Sequence, residues 1–365
     1  MTNRWLPDYA RRARATDRFR ESPDHVRLLA AGLFGEAGSI LAEVKKRRRE
    51  EDVYPEHLGA LDEELGDCLW YFVRLCDEID GPLLRAFARE RVARSRPQAL
   101  RAALQLGSAV GRIVAAIQTA SSPTQALTDA WHALQRVARA SGMSLRAASD
   151  FNLAKTQGRW PLERSRADWP RPSNYFALFD SDEMLVEQFP RELDIEFIER
   201  SKDHVILRIN GINVGSRLTD NITDNDHYRY HDIFHLSYAV FLGWSPVIRA
   251  LLRCKRKRSR QLDENEDGAR AGIIEEAISA IVFARAKKKH YFRDATQLDY
   301  DLLKSIAEFV RGYEVDVIPP WQWERAILEG FRIFRLLKAN HGGHVTINLN
   351  KRTMHYRKPT ARAGR

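Results

Sequence analysis

The sequence predicts a mainly α protein: an N-terminal four-helix bundle built from a duplicated helix pair, followed by a mostly helical α+β domain. Three observations carry this expectation. Apolar residues between Val26 and Ile79 recur in steps of three and four, the period of a helix face. The pattern of that stretch returns between Leu106 and Gly142. Beyond a proline-rich segment, short alternating runs such as DIEFIE (Asp194–Glu199) have the period of strands. A length of 365 residues favours two domains, and 44% hydrophobic with 30% charged residues supplies apolar mass for both cores, which excludes a wholly disordered chain.

The first helix opens at Ser22-Pro23-Asp24, with Ser22 as its cap and Pro23 suited to the first helical position. Its face is Val26, Leu29, Leu33, Ala37, Ile40 and Val44, and it ends in the charged run Lys45–Glu51. The second runs from about Glu56 to Ile79 on Leu58, Leu61, Leu65, Leu69, Phe72 and Cys76, and Gly81-Pro82 stops it. The repeat aligns LFGEAGSIL (Leu33–Leu41) with LGSAVGRIV (Leu106–Val114), so that Gly38 falls on Gly111, Trp70 on Trp131 and Gly81 on Gly142. Where the first copy has acids at Glu36, Glu43, Glu64 and Asp67, the second copy has Ala109, Ala116, Ala126-Leu127 and Thr128 near the corresponding places. One helix pair carries charge, and the other is scaffold.

The expected domains are 1–163, a linker at 164–175 in the stretch PLERSRADWPRPSNY, an α+β domain at 176–356, and a basic tail at 357–365. In the second domain Asp194–Glu199 and His204–Ile209 alternate, and Asn210-Gly211 signals a hairpin. Helices are expected near Tyr228–Phe241, Arg270–Lys288, Asp299–Tyr313 and Pro320–Asn340, with strand again from Gly342 to Tyr356.

No window approaches about 20 uninterrupted apolar residues, so no membrane span is expected. Residues Met1–Arg20 hold no apolar run of signal-peptide length, and three cysteines (Cys68, Cys76, Cys254) make no disulfide framework, so a cytoplasmic location is expected. Of the net charge of +10, six cations without an acid lie between Lys351 and Arg365. Such a tail can touch nucleic-acid phosphates, or it is a solvated, frayed terminus. The run RCKRKRSR (Arg253–Arg260) is followed by Asp263, Glu264, Glu266 and Asp267, so internal pairing or nucleotide-phosphate binding competes with DNA binding.

Glu36 and Glu43 are seven apart and share a helix face; Glu64 and Asp67 are three apart and share another. Spacing leaves two readings. These are acids on solvated faces, or antiparallel packing gathers them around a hard divalent cation such as Mg²⁺, which relieves their repulsion and takes oxygen ligands and phosphates.

GLFGEAGSILAEVKK (Gly32–Lys46), EELGDCLWY (Glu63–Tyr71) and GMSLRAASDFNLAKTQGRWP (Gly142–Pro161) together resemble the MazG-like, all-α nucleoside triphosphate pyrophosphohydrolases. The resemblance covers about residues 22–163 in consistent order. It implies hydrolysis of a nucleoside triphosphate to the monophosphate and pyrophosphate, with Mg²⁺ (or Mn²⁺) held by helix carboxylates, in a homodimer or higher homo-oligomer. By that resemblance Glu36, Glu64 and Asp67 would hold the metal, and Asn152, Lys155 and Arg159 would hold phosphates or the nucleotide. Gly35 stands where some members have a first acid. Ser39 stands where the last acid of the pattern belongs, so it is assigned to substrate, and Glu43, one turn on, is a substitute ligand or the base that orients water. The alternative is a nucleotide-sensing regulatory or defence protein, with a weakened first domain and an effector second domain.

His227, His231 and His235 are spaced at i, i+4 and i+8, with Asp232 beside them. His-x-x-x-His on a helix face is a usable metal pair, and Glu275 and Glu276 could add carboxylates from a second helix. Satisfied core histidines with capping acids are the other reading. The dipeptide His231-Asp232 is similar to the paired His-Asp of HD phosphohydrolases. The segment Tyr175–Tyr356 as a whole resembles the C-terminal extension of some longer bacterial MazG-like proteins, through LTDN, YRYHDIFHLSYAVFLGWSPV and EDGARAGIIEEAISAIVF.

Overall fold

Helical periodicity in the first half and mixed periodicity in the second resolve, in the computed structural model, into two compact units, Met1–Leu162 and Glu163–Arg365. The structure describes residues 3–50, 57–90, 98–161, 169–170, 172–201, 204–223 and 225–359. Half of the expected linker (164–168 and 171), residues 162–163 before it and the last six residues of the tail lie outside the described residues.

The first unit is all helical: α1 (Leu6–Ala15), α2 (His25–Arg49), α3 (His57–Ile79), α4 (Gly81–Arg89), α5 (Ala99–Gln118), α6 (Thr124–Ala140) and α7 (Leu145–Arg159). α2 packs on α3 and α5, α5 on α6, and α7 on α3. The stripe Leu29, Leu33, Ala37, Ile40 and Val44 is buried, as are Leu61, Leu65, Leu69 and Phe72 opposite it. Trp131 of α6 stacks on Phe72 and Phe87 with ring centroids 5.8 and 5.2 Å away. α5 is long and apolar enough, by length and composition, to cross a membrane. Here its Ala102, Ala103, Leu106, Ala109, Val110 and Ile113 are buried in the bundle core.

Two helix boundaries differ from expectation. α2 starts at His25, and Ser22 caps nothing in it; its Oγ accepts instead from the Asp24 N–H at 3.2 Å. Gly81-Pro82 opens a helix as well as closing one. Asp80 Oδ1 accepts from Leu83 N at 3.0 Å, so the chain restarts as α4 with its proline in the first turn. α1 has no counterpart in the sequence reading. It is amphipathic, burying Leu6, Tyr9, Ala10 and Ala13. The fully buried Arg74 of α3 ties the chain after α1 to the bundle, donating to Asp17 at 3.0 Å and to Asp77 at 2.8 Å.

The second unit is α+β. β1 (Glu192–Ser201), β2 (His204–Ile209), β3 (Ile212–Leu218), β4 (Gly342–Asn348) and β5 (Thr353–Arg357) form one antiparallel sheet in the order β3-β2-β1-β4-β5. Asn210 (φ 48°) and Gly211 (φ 81°) are both left-handed, as a two-residue hairpin requires. Leu193, Ile195 and Phe197 turn inward together with Val205, Leu207, Val345 and Ile347. The helices are α8 (Asp232–Leu242), α9 (Pro246–Leu252), α10 (Ala269–Lys287), α11 (Tyr300–Phe309) and α12 (Pro320–Ala339). Every residue of α8 is buried, and α8 packs on α12, where a Cβ on Gly330 would lie 2.7 Å from Ser237 Oγ.

The expected frayed terminus is corrected at its start. Arg352, in the β4–β5 connection, is buried and donates to the carbonyls of Val240 (2.8 Å) and Phe176 (2.7 Å). The basic run is also partly internal. Arg256 is fully buried between Asp267 (2.8 Å) and Glu314 (2.7 Å), and Arg260 pairs with Glu264 at 2.9 Å.

Gly66 is the contact that lets α7 reach α3, because a Cβ there would lie 2.8 Å from the Ala148 carbonyl and 3.0 Å from Asn152 Cβ. Gly66→Ala should therefore destabilise the protein by about 1–3 kcal/mol, measured by urea unfolding. An unchanged midpoint would mean that the two helices can part without loss.

Candidate functional site

Three helices of the first unit bring polar side chains to one place: Glu36 from α2, Glu63, Glu64 and Asp67 from α3, and Asn152 and Lys155 from α7. Asn152 Nδ2 donates to Asp67 Oδ1 at 2.8 Å, and Lys155 Nζ donates to Glu63 Oε1 at 3.1 Å and to Asp67 Oδ2. The Tyr9 hydroxyl of α1 donates to Asn152 Oδ1 at 3.0 Å, which fixes the amide so that its nitrogen faces Asp67. Asn152 is 2% exposed, so this arrangement is set by packing.

Glu36 and Glu64 are hydrogen-bonded carboxyl to carboxyl. Burial, the charge of Asp67 and the Glu64 contact push Glu36 up to about 8, while Lys155 opposes them. Burial also raises Glu64, although its bond to Glu36 pulls the other way. The pair thus holds one proton between its two carboxyls above the ordinary carboxylate range. Burial together with Glu36 and Asp67 likewise raises Tyr71, whose ring lies over Gly32 at 2.2 Å from where a Cβ would stand.

Of the residues singled out by sequence, the structure brings Glu36, Glu64, Asp67, Asn152 and Lys155 together. Arg159 is buried one turn beyond Lys155. Ser39 and Glu43 are half-buried further along α2, Glu43 about 10 Å of helix rise beyond Glu36. The charges that act on Glu36 include Asp67 and Glu64 of α3 and Lys155 of α7. Glu63, Tyr9 and Tyr71 were not singled out. Glu63 and Tyr71 sit inside the quoted EELGDCLWY motif, whereas Tyr9 is visible only through the i, i+3, i+4, i+7 spacing of Leu6, Tyr9, Ala10 and Ala13.

In the second unit the expected three-histidine helical stripe is corrected. His227 has a left-handed backbone (φ 69°) and precedes a short 3₁₀ turn at Tyr228–Tyr230, so it lies outside α8, with its Nδ1 accepting from Arg229 at 2.9 Å. His231 stands at the start of α8, and Asp232 and His235 lie within it. Each offers a donor atom within 4.8 Å of the others, so these three could coordinate a divalent metal ion; among the described residues they are the acidic, histidine or cysteine side chains that converge this closely. Glu275 and Glu276 of α10 flank His235, at 2.9 and 3.5 Å. Burial drives His235 down, but both carboxylates outweigh it and lift it to about 10. His231 is lowered, chiefly by burial. Burial works against Glu276, yet His235 holds it below the usual carboxylate range. The two acids demand a positive charge at His235.

The pair on α2 and α3 has a measurable consequence. Glu36 keeps its proton in the folded chain up to about pH 8, against an ordinary value of 4.5. Its contribution to stability is therefore complete below pH 4.5 and is lost as pH rises through about 8. Without divalent metal, Glu36→Gln should match the parent protein at pH 4 and exceed it in urea midpoint at pH 9. A parallel pH dependence in the two proteins would show that Glu36 ionises freely.

Residues 174–360 match the family model of the MazG C-terminal domain. A curated relative, the "Gene 37 protein" of Mycobacterium phage L5, is 37% identical over 62 residues, 16% of this chain and 54% of that protein. The chain thus spans about half the length of that relative. No solved structure matches. The family match covers just over half of the chain, and it follows an all-helical unit, consistent with a MazG-like fold carrying a C-terminal extension. The protein belongs to the MazG C-terminal domain family.

Proposed function

We propose that the first unit hydrolyses a nucleoside triphosphate to the nucleoside monophosphate and pyrophosphate with Mg²⁺, Mn²⁺ being an alternative ion. The observation that carries this reading is the Glu36–Glu64 carboxyl pair packed beside Asp67, Asn152 and Lys155. Two carboxylates this close and this buried keep a proton, and Lys155 opposes that only in part. Their all-oxygen donor set fits a hard cation, which would replace that proton. Glu36, Glu64 and Asp67 are the residues we assign to the metal. When bound, it would neutralise phosphate charge and acidify a water.

The remaining residues act on substrate. Lys155 balances Asp67 and Glu63, and its ammonium would turn toward phosphate when a cation is held by the carboxylates. Asn152, held by Tyr9 and Asp67, is a rigid donor, and Arg159 adds a second positive charge one turn away. Both cations meet the charge that grows on departing pyrophosphate. Ser39 is assigned to hydrogen-bond substrate and Glu43 to orient the attacking water. α2–α3 and α5–α6 are then the two copies of a duplicated pair, the first bearing chemistry and the second scaffold. We propose a cytoplasmic homodimer as the working form.

A second reading has its own support. Lys155 already satisfies Asp67 and Glu63, so a unit that binds nucleotide and cleaves it poorly would serve a regulatory or defence role, with the second unit as effector.

Ribo- and deoxyribonucleoside triphosphates incubated with Mg²⁺ or Mn²⁺ separate the two readings. Release of monophosphate plus pyrophosphate supports the hydrolase, and tight binding without products supports the sensor. Asp67→Asn should lower kcat at least about a hundredfold with helical circular dichroism unchanged; undiminished pyrophosphate release would sink the assignment. Ser39→Glu should raise metal affinity or turnover, because it adds a hard oxygen ligand. Lower turnover with an intact fold would instead place Ser39 against substrate.

A further inference from the structure

Glu275 is fully buried and takes three donors: His235 at 2.9 Å, the Ser245 hydroxyl at 2.6 Å and the Val247 N–H at 2.9 Å. Ser245 Oγ itself accepts from Ile248 N at 3.1 Å, so its proton belongs to Glu275. His235 Nδ1 is therefore committed to Glu275, and Nε2 is the nitrogen that faces away. That Nε2 is buried and has no hydrogen-bond partner, and the residue is 0% exposed.

His231 is oriented in the same sense. Its Nδ1 lies 2.9 Å from the Tyr228 carbonyl, which can only accept, so Nδ1 carries the proton and Nε2 presents its lone pair. The Tyr228 ring stacks on the imidazole at 4.4 Å and 2° and holds its plane. Around the two Nε2 atoms, Asp232 Oδ1 is 3.4 Å from His231 Nε2 and Glu276 Oε2 is 3.5 Å from His235 Nε2. These separations are long for hydrogen bonds. The donor atoms of His231, Asp232 and His235 all lie within 4.8 Å of one another, close enough to close on one ion, whose tetrahedral donors would stand roughly 3.4 Å apart for bonds of about 2.1 Å.

We propose that His231, Asp232 and His235 form a binding site for one first-row transition-metal ion, which Glu276, beside His235 Nε2, completes from the solvent side, with Glu275 and the Tyr228 carbonyl as outer partners that fix both imidazoles. Two nitrogens among the donors select Zn²⁺, Mn²⁺, Fe²⁺ or Co²⁺ over Mg²⁺. Carboxylate and carbonyl partners behind metal-bound imidazoles are the usual device for holding them. The Glu276 side chain is 47% exposed, so the ion meets solvent on that side, where a water or a substrate oxygen can bind. The site is independent of the carboxylates in the first unit and of the reaction proposed there.

The test is Co²⁺ titration of the chelator-treated full-length protein in excess Mg²⁺, which occupies all-oxygen sites. One Co²⁺ per chain is expected, with visible absorption far stronger than that of the hydrated ion, and stoichiometric loss of that absorption on adding Zn²⁺. His231→Ala should abolish the signal, and Glu275→Gln should weaken binding about 10- to 100-fold. Should either buried change unfold the chain, Glu276→Gln, on a half-exposed side chain, decides by weakening Co²⁺ binding at least tenfold. Absence of the absorption band in the parent protein, or unchanged Co²⁺ affinity in Glu276→Gln, overturns the proposal.

Discussion

A carboxylate withdrawn from water at a helix–helix contact needs a donor for each exposed lone pair, and that requirement sets the geometry of both units. In the first, Asp67 is met by Asn152 and Lys155 across the α3–α7 contact, and Glu36 and Glu64 meet each other through one proton. In the second, Glu275 gathers His235, Ser245 and Val247 and so joins α8, α9 and α10. Leaving any one of these groups unpaired would forfeit far more than the bond itself is worth. The helices are therefore held in the register that satisfies the acids.

The same requirement explains where much of the positive charge goes. Arg74, Arg229, Arg249 and Arg256 are all nearly fully buried, and each guanidinium meets at least one carboxylate. Arg249 lies 2.9 Å from Asp180 and also stands over the Phe189 ring at 4.0 Å. A planar fork with five donors can satisfy several acceptors at once, which a lysine cannot. These arginines fasten loops to helices, and they contribute little field at the surface.

The two polar clusters differ in the chemistry of their donors. The first is all oxygen, with a lysine in reach, and suits a hard ion and phosphates. The second mixes imidazole nitrogen with carboxylate and is far drier, with His235 inaccessible to solvent. Histidine tautomers fixed from behind are a feature of rigid ligand sets.

Periodicity determined a great deal by itself. Leu29 to Val44 and Leu61 to Phe72 bury as one stripe each, because a 3.6-residue period admits one face. Asn210-Gly211 determined its hairpin, because two left-handed residues in succession suit little else. Glu36, Glu64, Asp67, Asn152 and Lys155 were legible as a set through motif resemblance, although spacing alone left them as acids on a helix face. Helix α1 was readable in the spacing of Leu6, Tyr9, Ala10 and Ala13 but was hidden among the charged residues of that segment. Only the tertiary structure decided the rest. It removed His227 from the stripe through a left-handed backbone, which no i+4 count can foresee. It assigned Glu275 to hold His235 and Glu276 to face the cluster, two neighbouring acids that sequence treats alike. It buried Arg352, which sequence places in a solvated tail, and it chose internal pairing for Arg256 among the readings sequence left open, because acceptors for both come from distant segments of the chain. Which lone pairs a side chain must satisfy depends on what packs beside it, and that is settled by folding alone.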